Sequence, residues 1–449
     1  MKNPNISIAG CGFVGLVNAA AYASRGFKVV ATTINKEEAE LINSGVAPFY
    51  EKDLDRLLRE AIDSGNLKVI TNNRDAVLNS KITFISVGTP MDENYKIDLS
   101  FIETVSKQIG RALADKDDYH LIVDRSTVVP GTTRNVIGKN IEEESGKIRG
   151  KEFGLCMQPE FLAEGKAVKN TFEPDRIIIG ELDKKSGNLL ENFYNDFYGE
   201  NLDTCPLLKM TIESAELVKY GNNCLLATKV SFANEFANLS ELVSNVDINQ
   251  VMEGVGLDYR IMGRFLRAGA GFGGSCFPKD VNAIKAWGES QGYKTRLLDA
   301  VLEINRDQAI HLVDIAEEMV GPLADKRYAI LGLSFKPNTS DMREAPSIKI
   351  INELIKRNAT EIVGYDPKAK KSAKEILGNK IEYADSAIDA LQGADCAFLV
   401  TEWDEFKKLK PKDFKNTMKE PNLIDGRRIY PFKEFSEELS FRAIGRRKK

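Results

Sequence analysis

The chain has 449 residues, room for about three domains at roughly 150 residues each, and its 43% hydrophobic and 29% charged residues exclude disorder as the default. With 62 Lys+Arg against 66 Asp+Glu the net charge is −4, which removes any electrostatic case for a nucleic-acid or membrane-surface protein. Two histidines, His120 and His311, leave a Ser-His-Asp hydrolase or a His-rich metal site resting on one or both, and the six cysteines hold no C-x-x-C pair, so no metal is expected.

Sparse cysteines in a long chain suit a reducing, cytoplasmic setting. No apolar run is long enough to span a bilayer, and the N-terminus shows no signal pattern. The basic stretch Arg446 to Lys449 reads as a solvated tail.

In chain order, Ile6 to Ala9 reads as a strand, followed by a glycine turn and a helix, and Phe27 to Ala31 reads as the second strand. Leu54, Leu57, Leu58, Ala61 and Ile62 recur at helical spacing until Gly65. Strands follow at Ile82 to Val87 and His120 to Val123, around a helix marked by Ile102, Val105, Ile109 and Ala112. Such alternation predicts a parallel, doubly wound sheet. From Lys209 to Val243 only Gly221 interrupts one long predicted helix, a plausible dimer surface. A second α/β alternation begins near Lys326, with strands Tyr328 to Leu331, Glu361 to Tyr365 and Cys396 to Val400, and a helix from Ser347 to Lys356. The predicted fold is α/β: two Rossmann-like doubly wound domains joined by a long central helix.

Gly10-Cys11-Gly12-Phe13-Val14-Gly15 fits G-x-G-x-x-G after a strand and before a helix. The first glycine permits the turn, the second lets backbone approach a pyrophosphate, and the third lets helix and strand pack. The acid that usually ends the second strand is absent; Thr33 stands there, followed by Lys36, Glu37 and Glu38. An acid would bind the adenosine ribose hydroxyls and repel a 2′-phosphate. The expectation is therefore NAD as cofactor, with NADP tolerated better than usual.

Gly269-Ala270-Gly271-Phe272-Gly273-Gly274-Ser275-Cys276-Phe277-Pro278-Lys279-Asp280 is the most informative stretch. Pro278 suits the first turn of a helix, which places Cys276 just before a helix N-terminus. That position and Lys279 nearby favour the nucleophilic thiolate. Asp280, four residues on, can face the same site. Glu160 and Glu164 are four apart, as are Lys219 and Asn223 on the long helix, and Ser126-Thr127 directly follows a strand.

These motifs in this order resemble the UDP-glucose/GDP-mannose dehydrogenase family over nearly the whole chain. The similarity includes GCGFVG, Val87 to Pro90, Ser126-Thr127 with Pro130 to Thr132, and Pro159 to Gly165. It continues through Lys219 to Asn223, the Cys276 block, Phe335 to Glu344 and, more weakly, Asp425 to Arg427. Phe277 matches the UDP-glucose branch, whereas GDP-mannose enzymes tend to carry Leu there.

The resemblance implies three parts: residues 1–205 binding NAD(P), a central helical part 206–320 with the cysteine loop, and 321–449 binding UDP. It implies a four-electron oxidation of UDP-glucose to UDP-glucuronate with two NAD, through a Cys276 thiohemiacetal and thioester, the product serving polysaccharide biosynthesis or lipid sugar synthesis. Asp280 and Lys219 would help remove the hydroxyl proton, and Lys219 and Asn223 would stabilise the oxyanion. Glu160 would serve thioester hydrolysis, with Thr127 positioning water. Gly10, Gly12, Phe13, Val14, Gly15, Thr33, Thr89, Thr127, Glu164 and Arg343 would touch the cofactor. Glu160, Phe161, Leu162, Glu164, Lys219, Asn223, Phe265, Leu266, Phe272, Gly273, Phe335, Lys336 and Arg427 would surround the nucleotide sugar. Arg260 would reach a neighbouring subunit's substrate, so a homodimer or larger homo-oligomer is implied.

Departures from the family pattern are Thr33 for the usual Asp, Glu38 where a basic residue is common, and Val129 for a common Pro. Two alternatives remain: the same chemistry on another nucleotide sugar such as GDP-mannose, or a two-electron hydroxyacid-type dehydrogenase without a nucleophilic Cys. A non-catalytic nucleotide-binding scaffold is disfavoured, because Cys276, Asp280, Lys219, Asn223, Glu160 and Thr127 are all present.

Overall fold

The computed structural model describes residues 3–446. The chain divides into two compact units between Asn222 and Asn223, a point inside the helix Ile212–Ser240. Of the predicted basic tail, residues 447–449 lie outside the described residues. Arg446 is anchored rather than solvated, pairing with Asp247 at 2.5 Å and covering the Phe432 ring at 4.0 Å.

The first unit is built on eight strands: β1 (Ile6–Ala9), β2 (Val29–Thr32), β3 (Leu67–Ile70), β4 (Ile82–Ile85), β5 (His120–Asp124), β6 (Phe153–Met157), β7 (Ile177–Glu181) and β8 (Leu207–Thr211). Their order is β3-β2-β1-β4-β5-β6-β7-β8. All neighbours are parallel except β6 and β7. β1, β4, β5 and β6 are buried along their whole length, which is why they read as unbroken apolar runs. Alternate residues pack on opposite faces: Leu121 and Val123 join one core, and Ile122 joins the other.

The second unit holds β9 (Arg327–Leu331), β10 (Glu361–Tyr365), β11 (Glu382–Tyr383), β12 (Cys396–Leu399), β13 (Asn422–Asp425) and β14 (Ser440–Ala443). They lie in the order β11-β10-β9-β12-β13-β14, all parallel. This repeats the order of the first six strands of the other sheet. In each sheet the strand order reverses beside the first strand, and ligands bind outside the carboxyl ends of strands at that switch.

Three predicted boundaries move. The second strand starts at Val29 instead of Phe27, because Phe27 is fully buried against Phe193 with ring centroids 5.2 Å apart. Lys209 to Thr211 belongs to β8, paired with β7, and the long helix begins only at Ile212. Absence of Gly and Pro permits a helix there; pairing with β7 selects the strand. At its other end the helix stops at Ser240, short of Val243. Among the described residues no helix is long and apolar enough to cross a membrane.

Candidate functional site

The glycine turn leaves β1 at Gly10, whose φ of +107° suits glycine. A Cβ at Gly15 would lie 1.9 Å from the Gly10 carbonyl, so helix and turn pack in direct contact. A Cβ at Gly12 would meet nothing within 4 Å. That open, exposed cradle at the N-terminus of helix Phe13–Ser24 fits a dinucleotide pyrophosphate. Two substitutions separate these roles. Gly15→Ala is expected to cost about 1–3 kcal/mol by overpacking. Gly12→Ala is expected to keep the wild-type melting temperature but weaken NAD binding about ten-fold, because its methyl sits where backbone should approach phosphate. Thermal melts paired with NAD titrations check both.

Neighbouring strand ends are tied together. The Thr89 hydroxyl donates to the Thr127 carbonyl at 2.8 Å. Ser126 Oγ receives the Val87 N–H at 3.1 Å and donates to the Val87 carbonyl at 2.9 Å. At the end of β2, the Thr33 hydroxyl donates to the Glu38 carboxylate and receives the Asn35 N–H at 3.3 Å. The hydroxyl expected to greet a ribose is thus engaged by an acid five residues on.

After β6 the chain places Glu160 beside Lys219. Lys219 Nζ donates to Glu160 Oε1 at 2.6 Å and to the Glu160 carbonyl at 2.8 Å. Both side chains are buried, 5% and 8% exposed. Burial pushes the Glu160 carboxyl up. The Lys219 charge and hydrogen bond, the Leu162 N–H and the Arg125 charge outweigh burial and hold it below the usual carboxylate range. Glu160 is therefore a carboxylate at neutral pH and can accept a proton. Phe161 stacks under Arg176, with the guanidinium 3.8 Å from the ring centroid. Glu51 holds this loop by accepting the N–H groups of Gly165 at 2.6 Å and Ala167 at 2.9 Å. Arg125 donates to Tyr22 Oη at 3.2 Å and Tyr194 Oη at 3.0 Å, and with Glu160 lines a cleft of this unit.

Beside Arg125, burial is the main force that pushes the Asp124 carboxyl up to about 8. A raised carboxyl keeps its proton in the fold after the unfolded chain has lost it at about pH 4. This group therefore lowers stability as pH rises, by at most about 1.4 kcal/mol per unit between pH 4 and 8. Asp124→Asn should flatten that decline; denaturant melts from pH 5 to 8 would read it.

In the second unit, Cys276 is exposed at the N-cap of helix Phe277–Ser290, with Ser275 Oγ 3.5 Å from its sulfur. One turn on, Asp280 is 1% exposed. Its Oδ2 accepts from Asn223 Nδ2 at 2.6 Å, and its Oδ1 from Lys279 Nζ at 2.7 Å. Lys279, expected near the thiol, thus also pairs with Asp280.

The glycines before Cys276 are required by close packing. A Cβ at Gly273 would lie 2.3 Å from the Glu344 carbonyl, and one at Gly274 would strike the Phe335 ring at 2.7 Å. Asn305 pins Phe272 by both backbone groups, at 2.6 and 3.0 Å. Arg427 Nη1 reaches the Gly271 carbonyl at 3.4 Å and Nη2 the Phe335 carbonyl at 3.3 Å. Phe335 and Arg427 follow β9 and β13, so both lie at the carboxyl edge of their sheet. The Lys336 ammonium sits 5.1 Å from the Phe335 ring centroid. Leu266 is buried, whereas Phe265 is 43% exposed and packs toward Phe277 at 6.1 Å. Arg260 is held at the surface by Asp258, with Nε to Oδ1 at 2.9 Å. Arg343 is likewise exposed and held by Asp341 at 2.7 Å.

Arg125, Glu51 and Asn305 escaped the sequence reading, because their value lies in contacts with distant residues. The two histidines stand apart from these groups: His120 Nε2 meets Thr83 at 2.7 Å, and His311 meets Glu241 at 3.0 Å. Among the described residues no group of three His, Cys, Asp or Glu stands where it could hold a metal.

Three family models match the chain in sequence order. Residues 4–198 match the NAD binding domain of the UDP-glucose/GDP-mannose dehydrogenase family, residues 213–307 its central domain and residues 329–432 its UDP binding domain. The chain is 42% identical to a UDP-glucose 6-dehydrogenase of Haloferax volcanii, over 96% of this chain and 98% of that one. It is 37% identical to a GDP-mannose 6-dehydrogenase of Pseudomonas aeruginosa, over 89% and 88%. A UDP-glucose dehydrogenase structure from Pyrobaculum islandicum superposes with a TM-score of 0.90 at 34% identity, covering 99% of this chain and 98% of the other. The chain belongs to the UDP-glucose/GDP-mannose dehydrogenase family and is an NAD-dependent oxidoreductase with a UDP-sugar-binding domain.

Proposed function

We propose that the protein oxidises UDP-glucose to UDP-glucuronate in two successive two-electron steps at one carbon. The observation that carries this reading is an exposed Cys276 at a helix N-terminus, one turn before a buried Asp280. A single alcohol-to-aldehyde oxidation needs no nucleophilic sulfur. Bound NAD supplies the hydride acceptor. Asp280, helped by Lys219, draws the proton from the sugar C6 hydroxyl. The Cys276 sulfur bonds to the resulting aldehyde carbon, and this thiohemiacetal loses a second hydride to become a thioester. Lys219 and Asn223 stabilise the oxyanions of both stages. Glu160 takes a proton from water, which Thr127 positions; the carbon–sulfur bond breaks and the thiol is restored. Per hexose, two NAD and one water give one carboxylate, two NADH and three protons.

Phe277 and the high identity to UDP-glucose enzymes support UDP-glucose, whereas the relative that acts on GDP-mannose marks the competing substrate. Leu225, Phe232, Phe236, Leu239 and Leu242 are exposed along and just past the long helix, and this supports the homodimer reading. A panel of nucleotide sugars tests the substrate, with NADH counted per sugar consumed. UDP-glucose should give the highest kcat/KM and two NADH; one NADH would favour the hydroxyacid-type alternative.

A further inference from the structure

We propose that Glu38 is the residue by which this chain selects NAD over NADP, taking the place of the missing acid at the end of β2. The proposal rests on the NAD-dependent reading above. β2 ends at Thr32, and the backbone N–H of Thr33 is used by the Ile70 carbonyl at 3.1 Å. The side chain of Thr33 then points its hydroxyl at Glu38. Glu38 reaches back because helix Lys36–Asn43 starts at once, with Asn35 as its cap accepting the Glu38 N–H at 2.9 Å. The carboxylate is thereby fixed at the strand end by Thr33.

The end of β2 adjoins the glycine turn, because the Thr32 carbonyl accepts the Gly10 N–H at 3.1 Å. The thiol of Cys11, inside that turn, is pushed up to about 12 by burial first and by the Glu38 charge second. Lys36, two residues before Glu38, extends along its own helix toward Glu40 at 3.9 Å. An anion beside the pyrophosphate cradle accepts hydrogen bonds from ribose hydroxyls and repels a 2′-phosphate. The basic residue common at this place in the family would do the opposite. On this proposal the chain has a strong NAD preference, where Thr33 alone led to the expectation of relaxed NADP tolerance.

The test is equilibrium binding of NAD and of NADP to the full chain, read by calorimetry, alongside a melting curve. Wild type should bind NAD about 100-fold more tightly than NADP. Glu38→Gln keeps the shape and the bond to Thr33 but removes the charge; the ratio should fall about ten-fold or more. Adding Thr33→Asp to that variant should restore it, because the acid then stands at its usual position. An unchanged ratio in Glu38→Gln, or an equal loss of both affinities, would overturn the proposal and leave Glu38 as an anchor for the Thr33 hydroxyl. A wild-type chain that binds neither dinucleotide would overturn the cofactor reading itself.

Discussion

Cys276→Ser is expected to lower the rate of complete oxidation by about 10³-fold or more while leaving the fold intact. The position is exposed and the change nearly isosteric, so stability should move by no more than about 0.5 kcal/mol. A serine hydroxyl in the same place lacks the low acidity threshold of a thiol, and an oxygen ester does not substitute for the thioester. The helix N-terminus that carries Cys276 acts on any anion there, and so it cannot rescue the serine. The first oxidation does not need the sulfur, so the variant should halt near the aldehyde level, with about one NADH per sugar in the first turnover. Stopped-flow absorbance of NADH checks the rate, and a thermal melt checks the fold. A drop in both together would mean that Cys276 holds the loop instead of the substrate.

Lys219→Met should cost about 3–5 kcal/mol at neutral pH, because it leaves the Glu160 carboxylate buried without its partner. The sign with pH is specific. In the wild type Glu160 is held below the ordinary range, so its favourable contribution is present above the unfolded value and is lost as pH falls through the depressed folded value. In Lys219→Met the balance reverses: burial raises the Glu160 carboxyl, and the penalty appears above the unfolded value and fades as pH falls below it. Pairing Lys219→Met with Glu160→Gln should recover much of the loss, since a neutral amide tolerates the site better than a lone anion. Denaturant melts of the four chains at pH 4 and pH 7 measure this coupling. A coupling near zero at pH 7 would contradict the pair as described. Activity should fall in every variant, because both residues are assigned chemical roles.

Local motifs were legible in the sequence because their requirements are local. The glycine turn, the strand before it and the helix after it need only neighbouring residues, and Pro278 announces the helix that Cys276 caps. The parallel alternation in both units also follows from runs of apolar residues at strand length. What stayed hidden depends on pairing at a distance. β8 is a strand because β7 accepts it as an edge, which Leu207 to Thr211 cannot announce alone. Asn305 matters because helix Arg296–Val320 brings it against Phe272, and Arg125 because two tyrosines from other helices meet it. Glu38 reads in the sequence as a departure that weakens the adenosine-ribose assignment; its hydrogen bond with Thr33 across the short connection to its helix could not be read from spacing.

The same logic separates what the two sheets do. Asp366 directly follows β10, the counterpart of β2 in the second sheet, yet it is buried and accepts the N–H groups of Leu333 and Ser334, each at 2.9 Å. That acid is consumed in shaping its own loop. Glu38 is only partly buried and anchored through a single hydroxyl, which leaves carboxylate lone pairs for a ligand.

The most direct test of the covalent scheme is acid quench of the Glu160→Gln enzyme during turnover with UDP-glucose and NAD, followed by mass analysis of the peptide that contains Cys276. Slowed hydrolysis should leave that cysteine carrying one uronyl group with its nucleotide. Two NADH released per hexose from an enzyme whose Cys276 is never modified would contradict it.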